Sequence, residues 1–512
     1  MNAPAETEPD AVDIAARYAA LLRFEPDHRL VQYQGDWTSV GDAAALAAAL
    51  DARLRGCGLA EPIKVGLITR NRPGQVLTIL ATLLARRCLV PITSIQSDAA
   101  TIAEVDRTRI GVLVADHEDW SRTGLVEHCA ARGILGLEMP VDRSGPLTVV
   151  ASPEAPRPET VPAPDVAVLM PTSGTTGPPK RISYRYSHVN GALGRIARYS
   201  GATGRTLGGE IRPRAGVVVA ALPLAHVAGF WTVLQALAEG RSISLLDRFE
   251  PTTWSNLIKE HRVRVAMIPP TTLGMVLDAD VPVEHLSTLR AVLCGTAPLD
   301  PELQQAFTSR YGVPVLTAYG ATEFPGGLVG WTLDDYHRFH TDKPRSAGRA
   351  RPGIGIKIVD QNDGSDLPFD REGLVAVHSP QATTSTVDGW VRTNDIGRMD
   401  ADGFLWIVGR ADDAINRGGF KIVPQVVEAA LREHPAVREA AVVGIAEPRL
   451  GQVPVAVVTL RVPVEPQQLL EWVRERLTKY QVPISVRVVE ELPRTTSMKV
   501  SKEAVRQLFA SE

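Results

Sequence analysis

The chain has 512 residues, more than one small hydrophobic core can organise, and this length predicts at least two domains. Hydrophobic residues make up 44% and charged residues 22%, which is an ordinary globular composition. The formal net charge of -3 gives no overall attraction to nucleic acid or to an anionic membrane, so we expect neither as a partner.

The N-terminal residues 1–13 are acidic and contain no apolar core, so they do not resemble a secretory signal. No apolar run reaches the roughly 18 residues that a membrane-spanning helix needs. The four cysteines (Cys57, Cys88, Cys129 and Cys294) are scattered without a C-x-x-C pair, which argues against a zinc site or a redox motif. We therefore expect a cytoplasmic protein with reduced, buried thiols.

Apolar, strand-like runs alternate with helix-like runs through much of the chain. The predicted strands cover residues 166–170, 217–222, 263–268, 291–295 and 313–318. The clearest helical patterns cover residues 73–87 and 301–312. Strands that are apolar throughout are typical of sheets covered on both faces, where ligands bind beyond the C-terminal ends of the strands. Because each of these strands leads into a polar cluster, we expect five loops to converge on one cleft.

The pattern changes twice toward the C-terminus. From about residue 330 to 409, short and often alternating strands with Gly/Asp turns predict a small β-barrel-like subdomain. Helix-like residues 423–434 and 467–480 accompany two strand-like runs, and this set is large enough for a separate domain. We predict an α/β protein with a large N-terminal domain of stacked α/β subdomains (1–409) and a small, mobile α+β domain (410–512).

The sequence PTSGTTGPPK at 171–180 directly follows a predicted strand. Its glycines let backbone N–H groups approach an anion, its hydroxyls add donors, and Lys180 supplies positive charge. These features predict a phosphate-binding loop, although a flexible surface turn can have the same composition. The spacing differs from G-x-x-x-x-G-K-[ST] because Pro179 precedes the lysine and Arg181 follows it.

Four further motifs follow this loop in order. They are YGATE (319–323), RTNDIG (392–397), GRADDAINRGGFKI (409–422) and LPRTTSMKVSK (492–502). Together the five motifs resemble the adenylate-forming superfamily, which includes acyl-CoA synthetases, the adenylation domains of peptide synthetases, and luciferases. The resemblance runs from about residue 166 to the C-terminus. It implies that ATP and Mg²⁺ convert a small carboxylic acid into an acyl-adenylate with release of pyrophosphate, and that the acyl group then passes to coenzyme A.

The resemblance implies a nucleotide-binding role for each matching position. The β- and γ-phosphates are expected at Thr172, Ser173, Gly174, Thr175, Thr176, Gly177 and Lys180. The adenine and ribose are expected at Gly295, Thr296, Ala297, Tyr319, Gly320 and Asp395, and Arg410 is expected to reach the ribose or a phosphate. Thr322 is expected at the α-phosphate, and Glu323 at Mg²⁺, a hard cation that prefers carboxylate oxygen. Alone, Glu323 could be an exposed loop carboxylate and Asp395 a turn former, but five ordered motifs favour the functional interpretation.

The segment LPLAHVAGFW at 222–231 resembles the part of the family that borders the acyl pocket. The resemblance implies that His226 lies near the substrate carboxylate, although a lone histidine more often has a structural role. A site for an α-amino acid needs a carboxylate to pair the ammonium group, because an unpaired buried charge is costly. This segment has no acidic residue, which argues against amino-acid activation. Four small residues suggest room for a bulky or extended acyl group, unless backbone geometry requires them: Ala228, Gly229, Gly326 and Gly327.

Lys499 matches the family lysine that bridges the carboxylate and α-phosphate oxygens during adenylation. The chain departs from the family pattern in four places. Met498 replaces the usual glycine before this lysine, Asn394 replaces another glycine, and Arg181 stands where glycine usually follows the loop lysine. The segment 373–390 is shorter than expected and lacks the usual Gly-Tyr turn. None of these departures removes a predicted ligand, but Met498 leaves the efficiency of adenylation open.

Asp412 matches the family's hinge, about which the C-terminal domain is expected to rotate between the two half-reactions. The rotation would withdraw Lys499 and bring in a loop with Gly418 and Gly419. Glycines there would leave space for a pantetheine arm, although a Gly-Gly hairpin turn explains them equally well.

Three alternatives to a coenzyme A ligase remain open. A ligase that loads an acyl carrier protein would share every motif. A specialised member could use another nucleophile or perform one half-reaction only, as Met498 suggests. A nucleotide-binding regulator without turnover would belong to a different class. Pyrophosphate release on addition of acids distinguishes an enzyme from a regulator, and dependence on coenzyme A distinguishes the ligases.

Overall fold

The computed structural model describes residues 12–59, 63–139, 147–152, 165–172, 180–199, 211–297, 299–384, 386–418, 420–495 and 499–509. Within these ranges, none of the helices has the length and apolarity that crossing a membrane requires. Of the four cysteines predicted to be buried, Cys88, Cys129 and Cys294 are buried and Cys57 is only half-buried, because it lies at the C-terminal end of a surface helix.

The elements up to Leu245 form two sheets and the helices between and around them. The strands are β1 (Arg29–Tyr33), β2 (Asp36–Ser39), β3 (Lys64–Thr69), β4 (Cys88–Thr93), β5 (Val112–Asp116), β6 (Leu135–Met139), β7 (Thr148–Ala151), β8 (Val166–Pro171), β9 (Arg181–Arg185), β10 (Arg214–Ala220) and β11 (Arg241–Leu245). The helices are α1 (Ile14–Leu21), α2 (Val40–Gly56), α3 (Pro73–Leu84), α4 (Asp98–Thr108), α5 (His117–Trp120), α6 (Leu125–Ala131), α7 (Tyr186–Tyr199) and α8 (Val227–Ala238).

The seven-stranded sheet has the order β7-β6-β5-β3-β4-β8-β9, and the four-stranded sheet has the order β10-β11-β1-β2. A shared apolar core joins the two sheets, and it includes buried residues of α1, α3 and α8. α3 starts with Pro73 at its first turn, where proline is favoured, and almost all of its residues are buried. A helix buried on every side needs no polar face, which explains why α3 is apolar along nearly its whole length.

The next elements form one nine-stranded sheet. The strands are β12 (Val265–Ile268), β13 (Ala291–Cys294), β14 (Val315–Tyr319), β15 (Val329–Gly330), β16 (Gly348–Ala350), β17 (Gly355–Val359), β18 (Gly373–His378), β19 (Val391–Met399) and β20 (Phe404–Arg410). The helices are α9 (Pro251–Glu260), α10 (Pro270–Asp278), α11 (Val283–Leu286), α12 (Pro301–Tyr311) and α13 (Leu333–Phe339). The strand order is β12-β13-β14-β15-β16-β20-β19-β18-β17.

The region predicted as a small β subdomain consists of antiparallel strands, β15 to β20, that continue from the α/β sheet. β12, β13 and β14 are parallel, and the direction reverses where Ala318 pairs with Gly330. The backbones come very close at this junction, because a Cβ added to Gly348 would lie 2.3 Å from the carbonyl carbon of Gly330. Gly348 also has a φ of 98°, which a side chain would strain. This close approach lets β16 pair with β15 and so continue the sheet.

The C-terminal elements form a five-stranded sheet with its own core. The strands are β21 (Ile415–Arg417), β22 (Phe420–Ile422), β23 (Val437–Glu447), β24 (Gly451–Leu460) and β25 (Val486–Val488), and the helices are α14 (Pro424–Arg432), α15 (Pro466–Arg474) and α16 (Lys502–Gln507). Glu428 on α14 accepts a hydrogen bond from the backbone N–H of Val442 at 3.0 Å, which ties the helix to the sheet. The predicted domain boundary at residue 410 falls at the last residue of β20, before β21 begins, and it stays a prediction.

Candidate active site

The ends of strands from three sheets meet at one large cleft of about 4490 Å³. The residues that follow β8, β10, β12, β13 and β14 all line it, as the sequence predicted for five converging loops. Residues of the C-terminal sheet, among them Arg438 and Arg461, line the opposite side. The cleft therefore lies between the α/β sheets and the C-terminal unit.

The predicted phosphate loop closes the hairpin between β8 and β9. The N–H and the Oγ1 of Thr172 donate to the carbonyl of Lys180 at 2.8 and 3.0 Å, which fixes the two ends of the loop together. Thr172 and the exposed Lys180 both line the cleft. The predicted phosphate ligands Ser173, Gly174, Thr175, Thr176 and Gly177 lie outside the described residues.

Arg181, which departs from the family pattern, connects this hairpin to α4. Its Nε donates to Glu104 at 2.8 Å, and its Nη1 donates to the carbonyl of Leu169 at 2.7 Å. Burial lowers the pKa of Arg181 to about 10, an effect that the charge of Arg107 reinforces. The hydrogen bonds of Arg181 therefore hold the hairpin to α4, and this structural role accounts for an arginine beside Lys180.

The YGATE segment is held on both sides by hydrogen bonds to its backbone. The hydroxyl of Tyr184 donates to the carbonyl of Thr322 at 2.6 Å. The N–H and Oγ1 of Thr383 donate to the carbonyl of Glu323 at 3.0 and 2.9 Å. The side chains of Thr322 and Glu323 remain at the cleft, which both residues line. Tyr184 and Thr383 were not predicted from the sequence, because their role rests on contacts 138 and 60 residues away along the chain.

Three residues predicted to bind adenine and ribose are neighbours. The hydroxyl of Tyr319 donates to Asp395 Oδ2 at 2.6 Å. Arg410 faces Asp395 across the β19–β20 pair, with its Nε 4.0 Å from Asp395 Oδ1. Burial and the charge of Asp395 raise the pKa of Tyr319, so its hydroxyl stays protonated and continues to donate. The Asp395 carboxylate is 15% exposed and retains lone pairs for further donors, as a ribose diol would require.

The predicted adenine-binding segment forms a strained turn at the mouth of β13. Thr296 has a φ of 73°, a left-handed conformation that is unfavourable for a β-branched residue. Its neighbour Gly295 packs against the β14 backbone, since an added Cβ would lie 3.2 Å from the carbonyl oxygen of Ala318. Thr296 and Ala297 are exposed to the cleft, and Gly320 and Gly295 also line it. Such strain is typical of positions where backbone shape serves a ligand.

We expect Thr296→Gly to raise the free energy of unfolding by about 1 kcal/mol. Relief of the strain contributes about 1–3 kcal/mol, and the greater freedom of glycine in the unfolded chain opposes it by about 0.5–1 kcal/mol. The affinity for AMP should fall, because the turn would lose its fixed shape. Thermal unfolding and AMP titration test this, with Thr296→Ala as the control because it keeps a Cβ. Equal stability of wild type, Ala and Gly variants would argue against strain at this turn.

His226 lies at the N-terminal end of α8, where the chain turns away from β10. Asn71 fixes this turn by donating to the carbonyl of Leu222 and accepting from the N–H of Leu224, both at 3.0 Å. Burial lowers the pKa of His226 to about 4, and the positive charge of Lys499 acts in the same direction. The imidazole is therefore neutral near pH 7. Asn71 was not predicted from the sequence, and it lies 153 residues from its partner Leu224.

The small residues predicted at the acyl pocket divide into two groups. Ala228, Gly326 and Gly327 line the cleft. Gly229 instead is buried under the turn, where an added Cβ would lie 2.3 Å from the carbonyl oxygen of Pro223, so backbone geometry alone requires glycine there and its place in the acyl pocket stays a prediction. Gly326 and Gly327 have φ values of 85° and 73°, so backbone geometry alone already requires glycine at both positions.

Lys499 enters the cleft from the C-terminal unit. Its carbonyl accepts a hydrogen bond from the N–H of Thr495 at 2.7 Å, which closes the loop that carries it. The side chain remains accessible to the cleft, yet the surrounding protein lowers its pKa, as does Arg410, while Asp395 opposes the shift. The structure therefore brings Lys499 together with His226, Asp395 and Arg410. Met498 lies outside the described residues.

The predicted hinge is held by ion pairs in this arrangement. Arg410 donates to both carboxylate oxygens of Asp412, at 2.9 and 2.8 Å. Asp413 pairs with Lys502 at 2.6 Å, which links the chain after the hinge to the helix that follows Lys499. Gly418 has a φ of 57° and donates to the carbonyl of Leu450, whereas Gly419 lies outside the described residues.

Two ion pairs also cross the cleft. Arg438 on β23 donates to Asp278 at the end of α10 at 2.5 Å, and Arg461 lies 3.8 Å from Glu302 on α12. The Arg438 and Asp278 side chains are 57% and 61% exposed, so each pair contributes little energy and is easily broken. Such contacts can orient the C-terminal unit relative to α10 and α12 and still break easily when it moves.

The described residues contain no group of three or more His, Cys, Asp or Glu side chains placed to hold a metal ion. The cleft does offer Glu323, whose side chain is half-buried. A single carboxylate suits Mg²⁺ at a nucleotide, because that ion commonly binds one or two carboxylates together with phosphate oxygens and water. The donors present therefore fit a magnesium–nucleotide complex better than a metal site made of protein alone.

Comparison with known proteins covers most of the chain. The AMP-binding enzyme family matches residues 19–385, and the AMP-binding enzyme C-terminal domain matches residues 426–499. The chain is 29% identical to 2-succinylbenzoate–CoA ligase of Bacillus velezensis over 89% of this chain and 90% of that protein. It is 31% identical to 4-coumarate–CoA ligase-like 9 of Oryza sativa subsp. japonica over 67% of this chain and 64% of that protein. The solved structure of O-succinylbenzoate coenzyme A synthetase from Bacillus subtilis, in complex with ATP and magnesium ion, has a TM-score of 0.76 at 24% identity, over 96% of this chain and 99% of that one.

Proposed function

The chain belongs to the family of AMP-binding enzymes, and we propose that its cleft joins a carboxylic acid to coenzyme A through an acyl-adenylate. It is an AMP-forming acid–thiol ligase with ATP, coenzyme A and a small acid as substrates. The proposal depends on one observation above all. Lys499 lines the same cleft as His226, Asp395 and Arg410, and its positive charge contributes to the lowered pKa of His226.

We assign the nucleotide to the ends of β8, β13, β14 and β19. The backbone at Gly295–Ala297 and the ring of Tyr319 would hold the adenine, and the free lone pairs of Asp395 would accept the ribose hydroxyls. Thr172 and Lys180 would hold the phosphates, with Thr322 at the α-phosphate. The hydrogen bonds of Tyr319 and Thr322 to other elements support this assignment, because they fix both groups before ATP arrives.

Magnesium is assigned to Glu323, and when bound it would neutralise charge on the phosphate oxygens. The residues of this chain orient the reactants around that complex. Thr383 fixes the backbone of Glu323, so the carboxylate keeps one position while the nucleotide binds. Asp395 and Tyr319 fix the other end of the nucleotide. The two anchors together would set the α-phosphate opposite the acid.

Adenylation forms a bond between the acid's carboxylate oxygen and the α-phosphorus, and it breaks the bond to the β-phosphate, so pyrophosphate leaves. Lys499 would hold the carboxylate and α-phosphate oxygens together as negative charge crowds there. His226 is neutral near pH 7, so it would not form a competing ion pair with the acid. The thiol sulfur then attacks the acyl carbon and AMP leaves.

We propose that Asp412 is the hinge between the two half-reactions. Its bidentate contact with Arg410 would hold the arrangement in which Lys499 reaches the cleft. The few exposed ion pairs across the cleft support this proposal, because they cost little to break. Rotation would bring the Gly418 loop toward the acyl-adenylate and give the pantetheine arm a path between glycines.

We expect Asp412→Pro to reduce thioester formation much more than acyl-adenylate formation. Proline fixes φ, and a hinge concentrates its dihedral change in a few residues, so one arrangement should be trapped. The described arrangement carries Lys499 into the cleft, which favours adenylation. The measurement compares pyrophosphate release with thioester formation from a supplied acyl-adenylate. Asp412→Ala is the control, because it loses the Arg410 contact but stays free to rotate. Equal loss in both assays for the proline variant would move the hinge elsewhere.

The acid itself is expected to lack an α-ammonium group. The 222–231 segment at the cleft carries no acidic side chain that could pair one. Pyrophosphate release should be screened over aryl, short, medium and polycyclic acids, with α-amino acids as the contrast. Release with carboxylic acids and not with amino acids is the expected result. Release with none of these acids would contradict the proposed activity.

A ligase that loads an acyl carrier protein is the second candidate, because it would share every residue assigned above. Dependence of product formation on free coenzyme A, measured after acyl-adenylate formation has been established, distinguishes the two acceptors. ATP and coenzyme A are both cytoplasmic metabolites, which supports a cytoplasmic location as part of this proposal.

A further inference from the structure

The cleft continues from His226 as a groove along one face of α8. Its lining residues on that helix follow helical spacing: Ala228, Trp231, Thr232, Gln235 and Glu239. The opposite wall is the edge strand β12, which α8 approaches where Thr232 Oγ1 lies 3.7 Å from Met267 Sδ. The 12 residues of α8 span roughly 18 Å, so the groove has room for an extended chain.

The middle of the groove is apolar. Val217 and Val218 of β10 form one part of its lining, and Trp231 and Met267 form another. β10 is the edge strand of its sheet, and its N-terminal half is exposed at this face. Gly216 interrupts the strand with a φ of 101° at a register shift. Because glycine has no side chain, the groove is not filled at this position. An alkyl or aryl chain bound here would therefore be removed from contact with water along most of its length.

The far end of the groove is positively charged. Arg214 and Arg241, which are register partners on β10 and β11, lie 3.2 and 2.8 Å from Glu239 Oε2. Glu239 Oε1 accepts from Gln235 at 2.8 Å. Arg241 reaches the groove itself, because a Cβ added to Gly216 would lie 3.7 Å from its Nη1.

Glu239 is 7% exposed and its two oxygens are both occupied, so it is a fixed anchor for the arginines. Each guanidinium has five donors, and one buried carboxylate cannot use them all. Two cations and one anion leave this end with a net positive charge. Three more arginines at or next to the β12 and β13 strand starts also line the cleft: Arg262, Arg264 and Arg290.

We propose that the acid carries a second anionic group at the far end of an extended apolar chain, and that Arg214 and Arg241 bind it. This inference rests on the proposed function and names the class of its substrate, a long dicarboxylic acid. One carboxylate would react beside Lys499, while the distal one would pair with the arginines. A charge-assisted, bidentate contact of this kind should be worth roughly tenfold or more in affinity.

The test uses stable acyl-sulfamoyl mimics of the acyl-adenylate with chains of matched length that end in carboxylate, carboxamide or methyl. Wild-type protein should bind the carboxylate mimic roughly tenfold or more tightly than the methyl mimic. Arg214→Gln with Arg241→Gln should abolish that preference and leave the affinity for the methyl mimic unchanged. Arg398→Gln, at a half-buried, ion-paired arginine that does not line the cleft, is the matched control. Because buried Glu239 would lose both cations, the same pair of changes is repeated with Glu239→Gln, and thermal unfolding checks each variant.

Pyrophosphate release with a graded series of dicarboxylic and monocarboxylic acids accompanies the binding measurements. Turnover of both series together with equal binding of all three mimics would overturn the inference and leave the proposed function intact. An equal loss for all three mimics in the arginine variants would likewise overturn it. If no mimic binds and no acid releases pyrophosphate, the proposed function fails and the inference fails with it.

Discussion

We expect Lys499→Ala to lose acid-dependent pyrophosphate release by roughly 10²–10³-fold, while a supplied acyl-adenylate is still converted to thioester. The reason is the position at which negative charge accumulates during adenylation. Adenylation crowds negative oxygens of the acid and the α-phosphate at one point, and a cation there is strongly stabilising in a site shielded from water. The described position of Lys499, near Asp395 and His226, meets this need. Thiol transfer requires no cation at that point.

The controls for this prediction separate loss of charge from loss of structure. Lys479→Ala removes an exposed lysine of the same C-terminal unit, and it should leave both half-reactions intact. Met498→Gly should leave adenylation unchanged or make it faster, because it restores the freedom usual beside this lysine. Loss of both half-reactions in a folded Lys499→Ala protein would contradict the division of labour. If wild type accepts an acyl-adenylate but forms none, the chain is a dedicated second-half enzyme and Lys499 is vestigial.

Much of the cleft could be predicted from the sequence because its parts are local. A strand that is apolar throughout, followed at once by a polar cluster, is visible within about ten residues. The strands predicted at 166–170, 291–295 and 313–318 correspond to β8, β13 and β14. The strand ends then had to meet, because parallel strands in covered sheets leave their C-terminal ends at one edge.

The residues that hold the cleft in shape could not be predicted, because their partners are distant in sequence. Arg181 appeared only as a departure from a pattern, and its partner Glu104 lies 77 residues away. The hydrogen-bond partners of Asn71 and Tyr184 are also more than 100 residues away along the chain. The reason for a glycine at 229 could not be predicted either, for a related cause. The sequence does not distinguish a glycine that leaves space for a ligand from one that leaves space for a backbone carbonyl, such as that of Pro223.

The way in which the strands after residue 330 pair could not be predicted from their alternating pattern. Alternating strands with glycine turns are typical of both a closed barrel and an open antiparallel sheet, and pairing partners decide between them. The pairing of Ala318 with Gly330 joins β14 to β15 and so attaches the whole region to the α/β sheet. As a result Asp395 on β19 and Tyr319 on β14 come within hydrogen-bonding distance. The ribose end of the proposed site thus depends on a strand junction that no local pattern encodes.

We expect Glu323→Gln to abolish ATP-dependent turnover while the fold stays intact. An amide keeps the shape of the side chain but lacks the negative charge that Mg²⁺ prefers. The fold should survive because the contacts made by this residue in the structure run through its carbonyl, which accepts from Thr383, and an amide side chain leaves them unchanged. Pyrophosphate release should disappear, and the dependence of ATP binding on added Mg²⁺ should weaken. Glu372→Gln, at an exposed turn before β18, is the matched control and should behave as wild type. Near-normal pyrophosphate release by the folded Glu323 variant would contradict the metal assignment, whereas loss of Mg²⁺-dependent binding together with turnover would distinguish a metal ligand from a residue that only shapes the loop.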